Sequence, residues 1–171
     1  MNAWGVYQVF MLLDETVVAS LPARKMIFAS AVSGTHMMLN IASPNQESGS
    51  TGKRAATLTT FTEVDDWFAF HQDITWHEEQ DQSMLERVWA RLYDAAPEIA
   101  NGAEVFETAS PLTYYESVRR KMGMIGSPAP MLGASKTHLD TLLLVGDTAT
   151  QTIGLAGLAN QAYRLARTLV A

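Results

Sequence analysis

The sequence predicts an α+β protein in which a mixed or antiparallel sheet is flanked by helices. Three observations lead there. Four short apolar runs rich in β-branched and aromatic residues follow one another early in the chain, each closed by turn-forming residues. Stretches with apolar residues at helical spacing come after them. The composition, 47% hydrophobic and 18% charged over 171 residues, is that of a folded domain with a sizeable core.

The strand-like runs are Gly5–Leu13, Met26–Ala29, Thr35–Ala42 and Arg54–Thr62. Leu21-Pro22 and Ser33-Gly34 punctuate the first three. The polar stretch from Ser43 to Gly52 precedes the fourth and is expected to be the most flexible segment. Thr62 and Asp65 are expected to open a short helix through Trp67 and Phe68. Thr75 and Glu78 have the spacing of a capping box, in which a hydroxyl bonds a free N–H and the carboxylate reaches back. Behind them Met84, Leu85, Val88, Trp89 and Leu92 share one helical face, and Pro97 ends that helix. Glu104–Thr108 reads as a returning strand. Leu142–Val145 is an apolar run of strand length. From Leu155 onward, Leu158, Ala159, Ala162, Leu165, Ala166 and Leu169 form a narrow apolar stripe, with Arg164 and Arg167 near the negative end of the helix.

Composition removes several classes of function. A net charge of −6 argues against a nucleic-acid binder, which carries a basic stripe. Without cysteine there is no disulfide framework, no thiolate nucleophile and no Cys-based metal site. The four histidines, His36, His71, His77 and His138, include no His-x-x-x-His pair, so a metal centre is not expected. No Gly-x-Ser-x-Gly elbow anchors a hydrolytic triad. No apolar run reaches the ~18 residues of a membrane span, and Met1-Asn-Ala-Trp lacks the basic start of a signal peptide. A cytoplasmic location is the expectation. The run Arg119-Arg120-Lys121 reads first as a solvated patch and alternatively as a peripheral membrane contact.

The most informative stretch is Leu142-Leu-Leu-Val-Gly146-Asp147, which leads through a small polar turn to Gly154-Leu-Ala-Gly157 and the final helix. A strand that ends in Gly-Asp and feeds a helix N-terminus builds ligand sites. The aspartate accepts from ligand hydroxyls, the glycine lets backbone approach closely, and the helix start offers unpaired N–H groups. The competing reading is structural, with Asp147 capping a turn and the glycines permitting tight helix packing.

Upstream lie Thr108-Ala-Ser-Pro111-Leu-Thr113 and Gly123-Met-Ile-Gly126, and before them Leu39-Asn-Ile-Ala-Ser43-Pro44 and Gly52–Thr57. In that order these segments and the Gly146-Asp147 junction resemble the C-terminal part of the FAD-dependent phytoene desaturase and carotene isomerase family, a branch of the amine-oxidase-like flavoproteins. The resemblance implies a substrate-domain-like sheet with helices over residues 1–100. It implies that residues 101–171 supply the last strand and helix of a Rossmann-like FAD-binding domain. Gly146, Asp147, Thr152, Ile153, Gly154, Leu155 and Gly157 would then contact FAD, and a hydrophobic polyene would be the substrate. The chemistry would be the cofactor's, so no catalytic side chain is assigned.

Two departures bear on this. No two glycines are separated by one residue, so the Gly-x-Gly-x-x-Gly turn that grips the flavin pyrophosphate is absent from the sequence. Gln151 and Thr152 also stand where the family has Pro-Gly. The expected partner is therefore a second chain carrying the dinucleotide-binding half, or another copy of this one. The alternatives are a non-enzymatic binding or assembly subunit, a truncated remnant that keeps only the fold, and an unrelated small α+β ligand-binding domain.

Overall fold

The computed structural model describes residues 4–28, 36–43, 52–69, 73–119, 121–125, 146 and 155–170. Five strands form one sheet: β1 (Trp4–Asp14), β2 (Arg24–Phe28), β3 (His36–Ile41), β4 (Lys53–Glu63) and β5 (Ala103–Ala109), in the order β2-β3-β4-β1-β5. Every pairing is antiparallel. The expected α+β class and all five expected strands within the described residues are present, most extended by a residue or two. The Ser43–Gly52 loop lies almost wholly outside the described residues, as do Leu142–Val145.

Alternation sets the sheet's two faces, because successive strand residues point to opposite sides. Tyr7, Val9, Met11 and Leu13 of β1 are buried on one face, in register with Thr60, Leu58 and Ala56 of β4 and with Met37, Leu39 and Ile41 of β3. A 22-residue helix covers that face. With α1 (Glu15–Val18) and α2 (Asp65–Phe68) before it, this is α3 (Ile74–Ala95), and its Met84, Val88 and Leu92 join the strand residues in one core. Leu85 and Trp89 pack against the edge of that core. The expected stripe is thus the one that is buried.

The helix starts differ from expectation. Asp73, not Thr75, caps α3: its Oδ1 accepts from the Trp76 N–H at 3.1 Å. A carboxylate one position before the first helical residue is a strong cap, and it leaves Thr75 inside the first turn. Thr62 does not open α2 either. It stays in β4, and its hydroxyl accepts from the Trp67 indole N–H at 3.1 Å. Pro97 ends α3 as expected, since it disfavours helical backbone at Ala96. It also starts α4 (Pro97–Asn101) as its first residue.

β5 runs along β1 on the side opposite β4, with a bulge. Glu107 faces Phe10 and Val105 faces Met11, so Phe106 is the extra residue and stands 79% exposed. After β5 comes α5 (Pro111–Val118), which the sequence reading had not marked as a helix. Ser110 and Thr113 form a reciprocal capping box, and Pro111 takes the first helical position. A 3-10 turn, Lys121–Gly123, then brings Met124 beside Gly5 as an antiparallel bridge, where β5 no longer reaches β1. The last helix, α6, spans Leu155–Val170.

Candidate functional site

Of the residues singled out from the sequence, Gly146 is a half-buried bend. Leu155 and Gly157 fall in the first turn of α6, so the helix begins where the apolar stripe predicted it. Asp147, Thr152, Ile153 and Gly154 lie outside the described residues. The first turn of α6, headed by Leu155, presents backbone N–H groups without intrahelical partners.

The Ser110–Thr113 and Lys121–Gly123 segments meet for a steric reason. Gly123 has a φ of +58°, and a β-carbon there would lie 2.0 Å from the carbonyl oxygen of Pro111. At Gly5 a β-carbon would lie 2.6 Å from the Pro111 ring. Pro111 is thus clasped between two glycines, and the Ser-Pro-x-Thr segment and Gly123 are parts of one corner. That corner fixes where the chain leaves the sheet: Ile125 N–H bonds the Trp4 carbonyl at 2.7 Å. Gly126 is outside the described residues.

The sheet face opposite α3 carries partly exposed apolar groups. Met26, Met38 and Phe61 are 47%, 39% and 43% exposed. Phe10 and Leu12 are half-buried. A shallow hollow of about 360 Å³ on this side is lined by Phe10, Leu12, Asn40, Thr57 and Phe106. The polar groups there are mostly matched to each other. Tyr114 of α5 donates to the Gln8 side-chain oxygen, and Gln8 in turn donates to Thr59 Oγ1 at 3.1 Å. Burial pushes the Tyr114 phenol above its ordinary pKa. Among the methionines, Met11 and Met37 are core, whereas Met38 is on this open face.

A second concavity lies between α2, the start of α3, the end of β5 and α5. The Tyr7 and Trp67 rings stack there with centroids 5.7 Å apart. The Tyr7 hydroxyl donates to the Asp81 carbonyl at 3.3 Å, and the Thr108 hydroxyl donates to Asp81 Oδ2 at 2.8 Å. Burial first, and the negative charge of Asp81 second, push the Tyr7 phenol well above its ordinary pKa, so it stays a neutral donor. His77 lines the cleft, and neither of its ring nitrogens, both buried, has a hydrogen-bond partner. Sequence reasoning set His77 aside for want of a second histidine. Its neighbours Asp81 and Thr108 are 27 residues apart, a juxtaposition no local pattern encodes. Among the described residues no group of three or more His, Asp or Glu could hold a metal ion. Among the same residues, no helix is long and apolar enough to cross a membrane.

No protein-family model, curated protein or solved structure matches the chain.

Proposed function

We propose that this chain is part of an FAD-dependent oxidoreductase similar to the phytoene desaturases and carotenoid isomerases. The sheet covers an apolar, polyene-like substrate, and the segment from Gly146 into α6 closes the flavin site. The observation that carries the structural side of the reading is the open sheet face. The water-facing side of an antiparallel sheet normally alternates to polar residues. Here Met26, Met38, Phe61 and Phe106 are exposed on or beside one side, and Phe10 and Leu12 line a hollow among them. A face of that kind shields a long hydrocarbon from water while making few demands on its exact shape. The flavin side rests on the order of segments from Leu39 to Gly157 and on the helix that starts at Leu155.

The bound flavin would take up a hydride from an unactivated C–H bond or assist double-bond isomerisation. The chain's own part is to hold and dry the substrate and to accept from a ribitol hydroxyl at Asp147. The glycine-rich pyrophosphate turn would come from polypeptide outside this sequence. A non-enzymatic assembly subunit is the second reading, favoured by the missing glycine turn.

Titrating FAD into the chain alone while following flavin fluorescence tests the assignment. The expected result is weak or no binding, and sub-micromolar affinity would show that the missing-half argument is wrong. Purification from the native source should bring yellow colour and a second chain. In such a complex Asp147→Ala should lose about 1.5–3 kcal/mol of flavin affinity, and Asp147→Asn less. A stability loss with unchanged affinity would assign Asp147 to capping alone.

A further inference from the structure

The joint between α4 and β5 is Asn101-Gly102, the one asparagine–glycine pair in the sequence. Asn101 is exposed, whereas Ile99 and Ala100 just before it are buried. Gly102 is held from two sides. Its N–H donates to the Glu98 carbonyl at 3.3 Å, and its own carbonyl accepts from the Asp14 N–H at 2.8 Å. Packing also fixes its identity. A β-carbon there would lie 2.6 Å from Cγ2 of Val17, a β-branched side chain with little freedom to turn away. The fold therefore needs glycine after Asn101, and glycine, without a β-carbon, leaves its own nitrogen least shielded from a neighbouring carbonyl.

We propose that Asn101 is a self-modification site, converted by attack of the Gly102 backbone nitrogen on its side-chain amide. The Gly102 nitrogen loses its proton and bonds to Cγ of Asn101. The Cγ–Nδ2 bond breaks, and Nδ2 leaves with that proton as ammonia. Water then opens the cyclic imide. Opening at the side-chain carbonyl leaves aspartate, and opening at the main-chain carbonyl leaves isoaspartate, whose backbone runs through Cβ and Cγ. No oxidant or reductant takes part. The fold gates the first step, because the attacking nitrogen is engaged with Glu98 and Asn101 sits in the helical backbone of α4. Attack requires that last turn to open, a local fluctuation of a five-residue helix.

Either product changes the joint. The new carboxylate lies at the C-terminal end of α4, where negative charge is unfavourable. Isoaspartate also lengthens the main chain by an extra carbon between the buried Ile99 and Ala100 and the pairing of Ala103 with Leu13. It thereby loosens β5, the edge strand beside β1. None of these steps involves flavin or the open sheet face.

The native protein is aged in heavy-oxygen water at mildly alkaline pH, then digested and mapped by mass spectrometry. Asn101 should exchange its amide for a labelled carboxyl, largely as isoaspartate, ahead of Asn40 and Asn160. In guanidinium chloride the same conversion should run about tenfold faster or more, since unfolding frees the Gly102 nitrogen. Ile99→Val, which trims a buried contact of α4, should raise the native rate and leave the unfolded rate alone. The isoaspartate form should melt below Asn101→Asp, which carries the charge without the extra backbone atom. Asn101 still intact when Asn40 or Asn160 has reacted would overturn the proposal. Equal native and unfolded rates, or an Ile99→Val rate no faster than wild type, would overturn the gate. Aged protein that melts with Asn101→Asp would overturn the effect on β5.

Discussion

Replacing Gly123 by alanine tests whether the corner after β5 is built as described. The backbone there has φ +58°, a conformation that costs an L-residue about 1–2 kcal/mol. The added methyl carbon would also meet the Pro111 carbonyl oxygen at 2.0 Å and its carbon at 2.7 Å. Both are backbone atoms, so relief requires α5 or the 3-10 turn to move, at about 1–3 kcal/mol. The total is about 2–5 kcal/mol, a large share of the 5–15 kcal/mol typical of a native domain. For a chain of this length each kcal/mol lowers the midpoint temperature by roughly 2–4 °C. Gly52→Ala is the internal control: it has φ +80° but nothing within 4 Å of the new methyl. It should show only the conformational part. Urea unfolding of both variants, followed by tryptophan fluorescence, gives the two values. If Gly123→Ala costs no more than Gly52→Ala, the contact with Pro111 is not real and the clasped-proline argument fails.

Other outcomes follow from the same contacts. Asp73→Ala should destabilise by about 0.5–2 kcal/mol, whereas Thr75→Ala should be near neutral, and the same unfolding assay distinguishes the observed cap from the expected one. Leu92→Ala, at a fully buried position of α3, should cost about 2–5 kcal/mol. Tyr7→Phe removes the bond to the Asp81 carbonyl and should cost about 0.5–1.5 kcal/mol at neutral pH. The raised Tyr7 pKa also has a pH signature. The folded state keeps its proton where the unfolded chain loses it, so this stability is complete below the ordinary value of 10.0 and is lost as pH rises towards the raised one. One such group contributes a slope of at most about 1.4 kcal/mol per pH unit. The wild-type protein should therefore fall more steeply than Tyr7→Phe above that point, and parallel curves would contradict the assignment.

Local pattern was sufficient for the parts of this protein governed by neighbours along the chain. Runs rich in β-branched and aromatic residues and closed by turn formers marked β1 to β4, and Glu104–Thr108 marked β5. Helical spacing from Met84 to Leu92 marked the stripe of α3 that is buried. The helix beginning at Leu155 was equally legible. Where two local signals competed, pattern alone chose wrongly. Thr75-x-x-Glu78 looked like a cap, but Asp73 lies one residue before the helix and reaches the free N–H of Trp76 first. The helix at Pro111 was missed although Ser110, Pro111 and Thr113 spell its start, since the same residues also read as a turn.

Other features belong to the tertiary structure. The strand order β2-β3-β4-β1-β5, the bulge that turns Phe106 outward and the exposed apolar residues of one sheet face all depend on pairings between distant segments. Gly5, Pro111 and Gly123 are glycine and proline for a shared reason that no window of the sequence contains. The cleft around His77 joins residues of α2, α3, β5 and α5, and its unpaired nitrogens result from how those elements pack. Sequence sets propensity and periodicity residue by residue. Which faces stay open, and which polar atoms are left without partners, is decided only when segments far apart in the chain compete for the same space.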